Sequence, residues 1–233
     1  MQIQIAPGID DGYFTRFREA CETELGFNYT ERLLPPGQPP IPGQPLLRLS
    51  RSGRDMIVQI GLGVVLIHAL PPYRSWSTFS PQVDNVVSAI LKTLDIPQEF
   101  LTASVRYLDA YGSRFLGSMT PADFAQNILG YRLDLPEAVA SERDTQQPTQ
   151  FALNYSFSTQ DGMQAQLSIA EGVIDNETAL ITDTTVRASS PVPATNVNVM
   201  DLFGRAHDVI HNIFIDSTTS IQDQMEVVED AND

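Results

Sequence analysis

Between residues 46 and 94 the chain alternates apolar and polar positions, then changes period. Residues 46–50 and 56–60 are short alternating runs on either side of Ser52-Gly53, which predicts a β-hairpin. Residues 62–70 are apolar on both faces and predict a further, central strand. Ser80-Pro81 then reads as an N-cap followed by an N1 proline. Val83, Val86, Val87, Ile90, Leu91 and Leu94 follow at helical spacing and make an apolar stripe. Tyr73, Trp76 and Phe79 crowd the stretch before it, with Trp76 and Phe79 expected to pin the helix to the sheet.

The same alternation opens the chain, where residues 2–6 predict a first strand. Asp10 or Asp11 caps a helix that runs to about Leu25, with Gly26 as its C′ residue and Phe14, Phe17 and Cys21 on one face. The proline-rich run 35–45 excludes a helix or a central strand, because proline fixes φ and removes amide donors. It predicts a polyproline-II-like surface loop. Its PxxP spacing, Pro36 to Pro39, lacks a flanking basic residue, which favours a connector over a docking peptide.

Residues 104–110 read as another strand, centred on Val105-Arg106-Tyr107-Leu108-Asp109. Thr120-Pro121-Ala122-Asp123 is a helix start with a hydroxyl cap, an N1 proline and an acid at N3, and its helix ends before Gly130. Residues 141–148 are polar and loop-like. Residues 151–158 and 163–169 predict a hairpin around Asp161-Gly162, and 178–188 a third strand. A crossover at 189–196 leads to a helix capped by Asp201 and running to about Ile215. Antiparallel strands are thus followed by a helix twice. The fold expected is α+β in two related halves, each an antiparallel β-sheet packed by a long amphipathic helix. The halves are 1–98 and 99–233, closely packed.

Composition narrows the functional classes. A formal net charge of -15 and a sequence pI of about 4.4 disfavour binding to phosphate backbones. An acidic surface keeps a protein soluble and suits a partner with a basic surface. The polar, acidic C-terminal segment 221–233 suits docking. Cys21, the single cysteine, excludes an intrachain disulfide and reads as a small core residue. Residues 1–7 lack the basic-then-apolar pattern of a signal peptide, and no apolar run reaches the roughly 20 residues that span a bilayer. A cytoplasmic, non-membrane protein is expected, compatible with homo-oligomerisation.

Few groups suggest chemistry. His207 and His211 stand at i and i+4 on a helix, as metal ligands can, with Asp208 where a zinc peptidase carries its general base. On the helical wheel Leu202, Ala206, Val209, Ile210, Ile213 and Phe214 define the buried stripe. His207 falls at its edge and His211 on the polar side, and spacing offers no third ligand. Gly61-Leu62-Gly63 is too short for a dinucleotide fingerprint, and the phosphate-loop and nucleophile-elbow patterns are absent. Arg106 with Asp109 reads as a polar pair on a strand, Asp183 as an isolated acid, and His68 as a hydrogen-bonded interior residue. No cofactor is expected.

Four words of the chain, taken together, resemble one family. They are Val58-Gln59-Ile60-Gly61, the segment Leu70-Pro71-Pro72-Tyr73-Arg74-Ser75-Trp76-Ser77-Thr78-Phe79, Arg106-Tyr107-Leu108-Asp109, and the helix from His207 to Phe214 with Thr218-Thr219 beyond it. In this order they are similar to a sporadically distributed, uncharacterised prokaryotic family of about this length. The family's second aromatic word reads closer to Gly-Leu-Arg-Tyr-Ile-Asn than 103–109 does here, and Pro81 interrupts what is commonly a longer helix. The resemblance implies no catalytic residues, and its patchy distribution implies an accessory gene of a defence or mobile-element locus.

Three functions follow as expectations. The first is a non-enzymatic acidic interaction protein: an adaptor, inhibitor or regulatory subunit. The second is a small-ligand-binding module whose cavity mouth would be formed by Tyr73, Trp76, Arg106 and Tyr107. The third is a metal-dependent hydrolase using His207 and His211.

Overall fold

The structure, a computed structural model, describes residues 1–5, 12–35, 37–53, 55–93, 98–132, 136–138 and 150–225. It is α+β, with a large antiparallel sheet and a few helices. The expected roles of Asp10, Asp11, Pro36, Leu94, the loop 141–148 and the tail from 226 lie outside the described residues.

The chain forms two compact units. One takes the described residues of Met1–Val105 and Arg187–His207, the other those of Arg106–Val186 and Asp208–Val227. The first unit contains β1 (Gln2–Gln4), α1 (Gly12–Leu25), β2 (Tyr29–Arg32), β3 (Pro45–Ser50), β4 (Met56–Gly61), β5 (Val64–Ala69), α2 (Trp76–Thr93) and β6 (Glu99–Phe100). It also holds the first part of β7 (Thr102–Tyr111). The remainder of β7 belongs to the second unit, with α3 (Ser113–Leu116), α4 (Pro121–Asn127), β8 (Ala152–Ser158), β9 (Gln164–Ile174) and nearly all of β10 (Glu177–Arg187). The chain then returns to the first unit for β11 (Val192–Pro193) and the start of α5 (Asn196–Thr218). A 3₁₀ turn, Thr219–Gln224, follows α5 in the second unit.

In the first unit the strand order is β2-β3-β4-β5-β1-β7, every neighbouring pair antiparallel. The hairpin around Ser52-Gly53 joins β3 and β4, and β5 lies between β4 and β1 as its two apolar faces require. β2, which carries no apolar alternation, forms through backbone pairing to β3 alone, and all four of its residues are exposed. Two glycines of the Gly61-Leu62-Gly63 word have backbone reasons. A Cβ on Gly61 would lie 1.8 Å from the Gln44 carbonyl oxygen, where the chain shifts register between Pro45 and Leu47. Gly63 turns with φ +73°, a conformation costly for other residues.

Ile3, Leu49, Val58, Ile60, Val65 and Ile67 of the sheet are buried. So are Phe17 and Cys21 of α1, and Phe79, Val83, Val86, Val87, Ala89 and Ile90 of α2. Gly26, at φ +73°, ends α1, and the amide of Phe27 reaches back to the Cys21 carbonyl at 3.0 Å, which satisfies one of the last carbonyls of the helix.

Two helix starts differ from the sequence reading. α2 begins at Trp76, one turn before the Ser80-Pro81 signal, and Ser75 is its cap, accepting from the Thr78 amide at 3.3 Å. Pro81 lies inside the helix. Starting early places Phe79 in the core, and the carbonyl that Pro81 leaves without a helical amide belongs to exposed Ser77, where water reaches it. α5 begins at Asn196, with Thr195 accepting from the Asn198 amide at 3.3 Å. Asp201 lies within the helix, 3.0 Å from Arg205 at i+4. The run Asn196-Val197-Asn198-Val199 has weak helix propensity. Burial of Val199, and the bond that the Asn196 side chain donates from Nδ2 to Ser88 Oγ at 2.7 Å, override it.

In the second unit the strand order is β7-β10-β9-β8. β9 and β10 are joined through Asp175 and Asn176, both at positive φ (50° and 66°), the geometry of a tight hairpin turn. Asn and Asp tolerate it better than other side chains. α4 starts as its sequence predicts: Thr120 Oγ1 accepts from the Asp123 amide at 3.2 Å and donates to its carboxylate at 2.7 Å. The core of this unit gathers Tyr111, Leu116, Phe124, Leu129, Phe151, Leu167, Ile169, Leu180 and Ile221. Burial alternates along β7, β9 and β10, so one sheet face is buried and the other is open to water.

Candidate functional site

The residues with the most chemical character fall into two groups, one in each unit. In the first unit an aromatic cluster forms at the head of α2. The Trp76 and Phe79 rings meet edge to face at 6.5 Å, as do Tyr73 and Phe79 at 6.1 Å. Phe79 is the buried anchor, Trp76 is half-buried and Tyr73 is exposed. His207 of α5 lies on a face of Trp76: the rings stack with centroids 4.9 Å apart and planes 13° from parallel. His207 is half-buried, and His211, one turn on, is exposed. Among the described residues, no group of three or more His, Cys, Asp or Glu is placed to hold a metal ion.

In the second unit β7 carries Arg106, Tyr107 and Asp109. Alternation sends Arg106 to the open face of the sheet and Tyr107 and Asp109 to the other. Arg106 therefore pairs with Asp183 of β10 and not with Asp109. Its Nε donates to one carboxylate oxygen at 2.8 Å and an Nη to the other at 2.6 Å. The Asp183 carboxylate accepts from the guanidinium and holds it charged.

Asp109 shares its face with Val105 and Tyr111. Burial pushes its carboxyl up to about 6, partly offset by the Thr182 hydroxyl, which donates at 3.5 Å. The Tyr111 hydroxyl is raised by burial and by the Asp109 charge, and burial likewise raises that of Tyr131 against its bond to Ser217. This network of Asp109, Tyr111, Tyr131 and Thr182 was missed by motif reading, although the alternation Val105, Tyr107, Asp109, Tyr111 marks Asp109 as facing inward. A carboxyl at about 6 among hydroxyls can exchange a proton near neutrality. Cys21 has no such capacity: it is fully buried, and burial, with Glu22 and Glu24 beside it, pushes its thiol up to about 12.

Thus the structure joins Tyr73 and Trp76 in one cluster. Arg106 and Tyr107 point to opposite sides of one strand. None of the four lines either of two shallow clefts in the first unit. One, of about 310 Å³, is bounded by Tyr29, Thr30, Glu31, Ser50, Arg51 and Ser52. Its Arg51 is already engaged, stacked 4.8 Å over the Phe27 ring and bonded to Gln82 Oε1 at 2.8 Å. The other, of about 260 Å³, is bounded mainly by Phe14, Leu34, Pro40, Leu46 and Leu47.

No protein-family model, no curated protein and no solved structure matches this chain. No helix among the described residues is long and apolar enough to cross a membrane.

Proposed function

We propose that the chain is a non-enzymatic acidic interaction protein, an adaptor, inhibitor or regulatory subunit that docks a basic protein surface in the cytoplasm. The observation that supports this reading is the open sheet face of the second unit. On β7 Arg106, Leu108 and Ala110 face water, and Leu108, an apolar side chain in mid-strand, is 60 % exposed. An exposed leucine beside a charged arginine, on a chain of net charge -15, suits an interface with an apolar centre and a rim steered by charge. The proposal includes the family resemblance, its accessory-gene setting, and the reading of 1–98 and 99–233 as related halves that each carry antiparallel strands and a helix.

The test is affinity purification of the tagged chain together with the products of its neighbouring genes, at low and moderate salt. The expected result is a partner retained at low salt, weakened by salt, and lost from Leu108→Lys. Recovery of the chain alone under every condition would sink the proposal.

A second reading, a small-ligand module, is favoured only by the polar 310 Å³ cleft beside Arg51. A thermal-shift screen of small polar ligands, repeated on Ser50→Ala, decides it: a shift that the variant abolishes supports the cleft, and no shift removes it.

A further inference from the structure

We infer that β8 is a self-pairing edge through which two copies of the chain associate about a two-fold axis. β8 pairs with β9 over seven consecutive residues, from Ala152↔Ala170 to Ser158↔Gln164, with no shift of register. It ends the strand order, and no other strand among the described residues pairs with its far side. Its backbone therefore offers a row of amides and carbonyls to a further strand. Natural sheets blunt such edges with charged side chains, proline or a bulge. The sequence Ala-Leu-Asn-Tyr-Ser-Phe-Ser has none of these. The edge strand of the first unit, β2, is blunted in this way: it is four residues long and carries Glu31 and Arg32.

The side chains favour an occupant. Leu153, Tyr155 and Phe157 lie on the same sheet face as Ile169, Leu167 and Ala165 of β9, which are buried. Yet Tyr155 is 59 % exposed, its ring 5.6 Å from that of Phe157. The buried face of β9 thus continues onto β8 as an apolar row, with Leu153 and Phe157 half-buried and Tyr155 open between them.

That row is self-complementary. An antiparallel pairing centred on Tyr155 sets Tyr155 against its own copy and Leu153 against Phe157 of the second copy. Asn154 then meets Ser156, and only the outermost pair, Ala152 with Ser158, sets an apolar side chain against a polar one. An isologous interface demands this symmetry.

Charge selects the same occupant. Two copies at -15 repel wherever their acids face each other. Residues 152–158 and 164–170 contain no charged side chain, so copies can approach there without that repulsion. A basic partner would find no acid on this edge to pair with. The inference uses the edge of the sheet and stands independently of the partner proposed for its open face.

Analytical ultracentrifugation of the full chain across a concentration series tests it, together with Tyr155→Lys and Tyr155→Cys. Lysine at the two-fold axis sets like charges against each other. The expected results are a concentration-dependent dimer for the wild type, its loss in Tyr155→Lys with an unchanged circular dichroism spectrum, and a dimer-specific disulfide in oxidised Tyr155→Cys. Paired strands bring opposed residues within disulfide reach, and buried Cys21 does not compete. A wild-type chain that stays monomeric overturns the inference, as does a dimer that Tyr155→Lys leaves intact. If Tyr155→Lys fails to fold, the cysteine variant decides: no crosslink at concentrations where the wild type is dimeric overturns it.

Discussion

Trp76 and His207 lie face to face, 4.9 Å between ring centroids and 13° from parallel. The stack joins the most aromatic word of the sequence to one of the two histidines that suggested a metal site. It gives His207 a packing role: the imidazole covers a face of the indole.

Because Trp76 is the sole tryptophan, its fluorescence reports this contact directly. Emission of the wild type is expected to change in His207→Gln, where the stacked ring is lost, and to stay as it is in His211→Gln. His207→Ala is expected to cost about 1 kcal/mol and Trp76→Ala about 2–3 kcal/mol in urea unfolding, the latter discounted because the indole is only half-buried. Emission unchanged in His207→Gln would mean that the stack does not persist in solution.

Asp109 makes stability depend on pH in a direction opposite to that of a salt-bridged carboxylate. Its ordinary value is 3.8, and burial holds the folded-state carboxyl at about 6. The folded chain therefore keeps the proton after the unfolded chain has released it. Below 3.8 both states are protonated and the buried site carries no charge. Stability is expected to fall as the pH rises from 3.8 towards about 6 and to level off above, a loss of at most about 3 kcal/mol. Asp109→Asn removes that dependence, so the variant gains on the wild type at neutral pH and converges with it in acid. Denaturant titrations of both proteins across this range measure the difference. A wild type no less stable at neutral pH than in acid, relative to the variant, would refute the assignment.

Local patterning carried much of the fold. The hairpin at Ser52-Gly53, the Thr120 cap and the Asp161-Gly162 turn each depend on a few adjacent residues, and each forms. What failed were local signals outweighed by burial. Ser80-Pro81 has the chemistry of a helix start, but Phe79 gains more by entering the core as part of α2 than the helix loses at Pro81. Likewise Asp201 is a good cap by type, yet burial of Val199 draws the helix back to Thr195. The groups around the candidate site were least legible. Period two puts Asp109 on the inner face of β7, but nothing local pairs Arg106 with Asp183 or sets His207 on Trp76. Those contacts arise only when strands and helices distant in sequence are packed together.

Arg106 and Asp183 form a bidentate pair on the open sheet face, with side chains 57 % and 27 % exposed. Water screens such pairs, so their coupling is expected to be modest. A double-mutant cycle with Arg106→Ala and Asp183→Ala is expected to give under about 1 kcal/mol, weaker still at high salt. Phe124→Ala, at a fully buried ring in the core of the same unit, is expected to cost about 3–5 kcal/mol. A coupling of several kcal/mol between Arg106 and Asp183 would mean that the open face is covered in solution.

The early start of α2 can be tested from both ends of its first turns. Ser75 caps the Thr78 amide, and its hydroxyl also lies 2.9 Å from Ser77 Oγ and 2.8 Å from Thr78 Oγ1. Ser75→Ala is expected to cost about 1 kcal/mol, the usual value of an N-cap. Ser80→Ala is expected to cost far less, because Ser80 lies inside the helix. Pro81 is exposed, and alanine there restores the amide that bonds the Ser77 carbonyl. Pro81→Ala should therefore stabilise the folded chain by about 1 kcal/mol, the restored bond outweighing the freedom the unfolded chain gains. If Ser80→Ala were the costly change and Ser75→Ala the silent one, the helix would begin at the proline, and the aromatic cluster of Tyr73, Trp76 and Phe79 would lose its helical support.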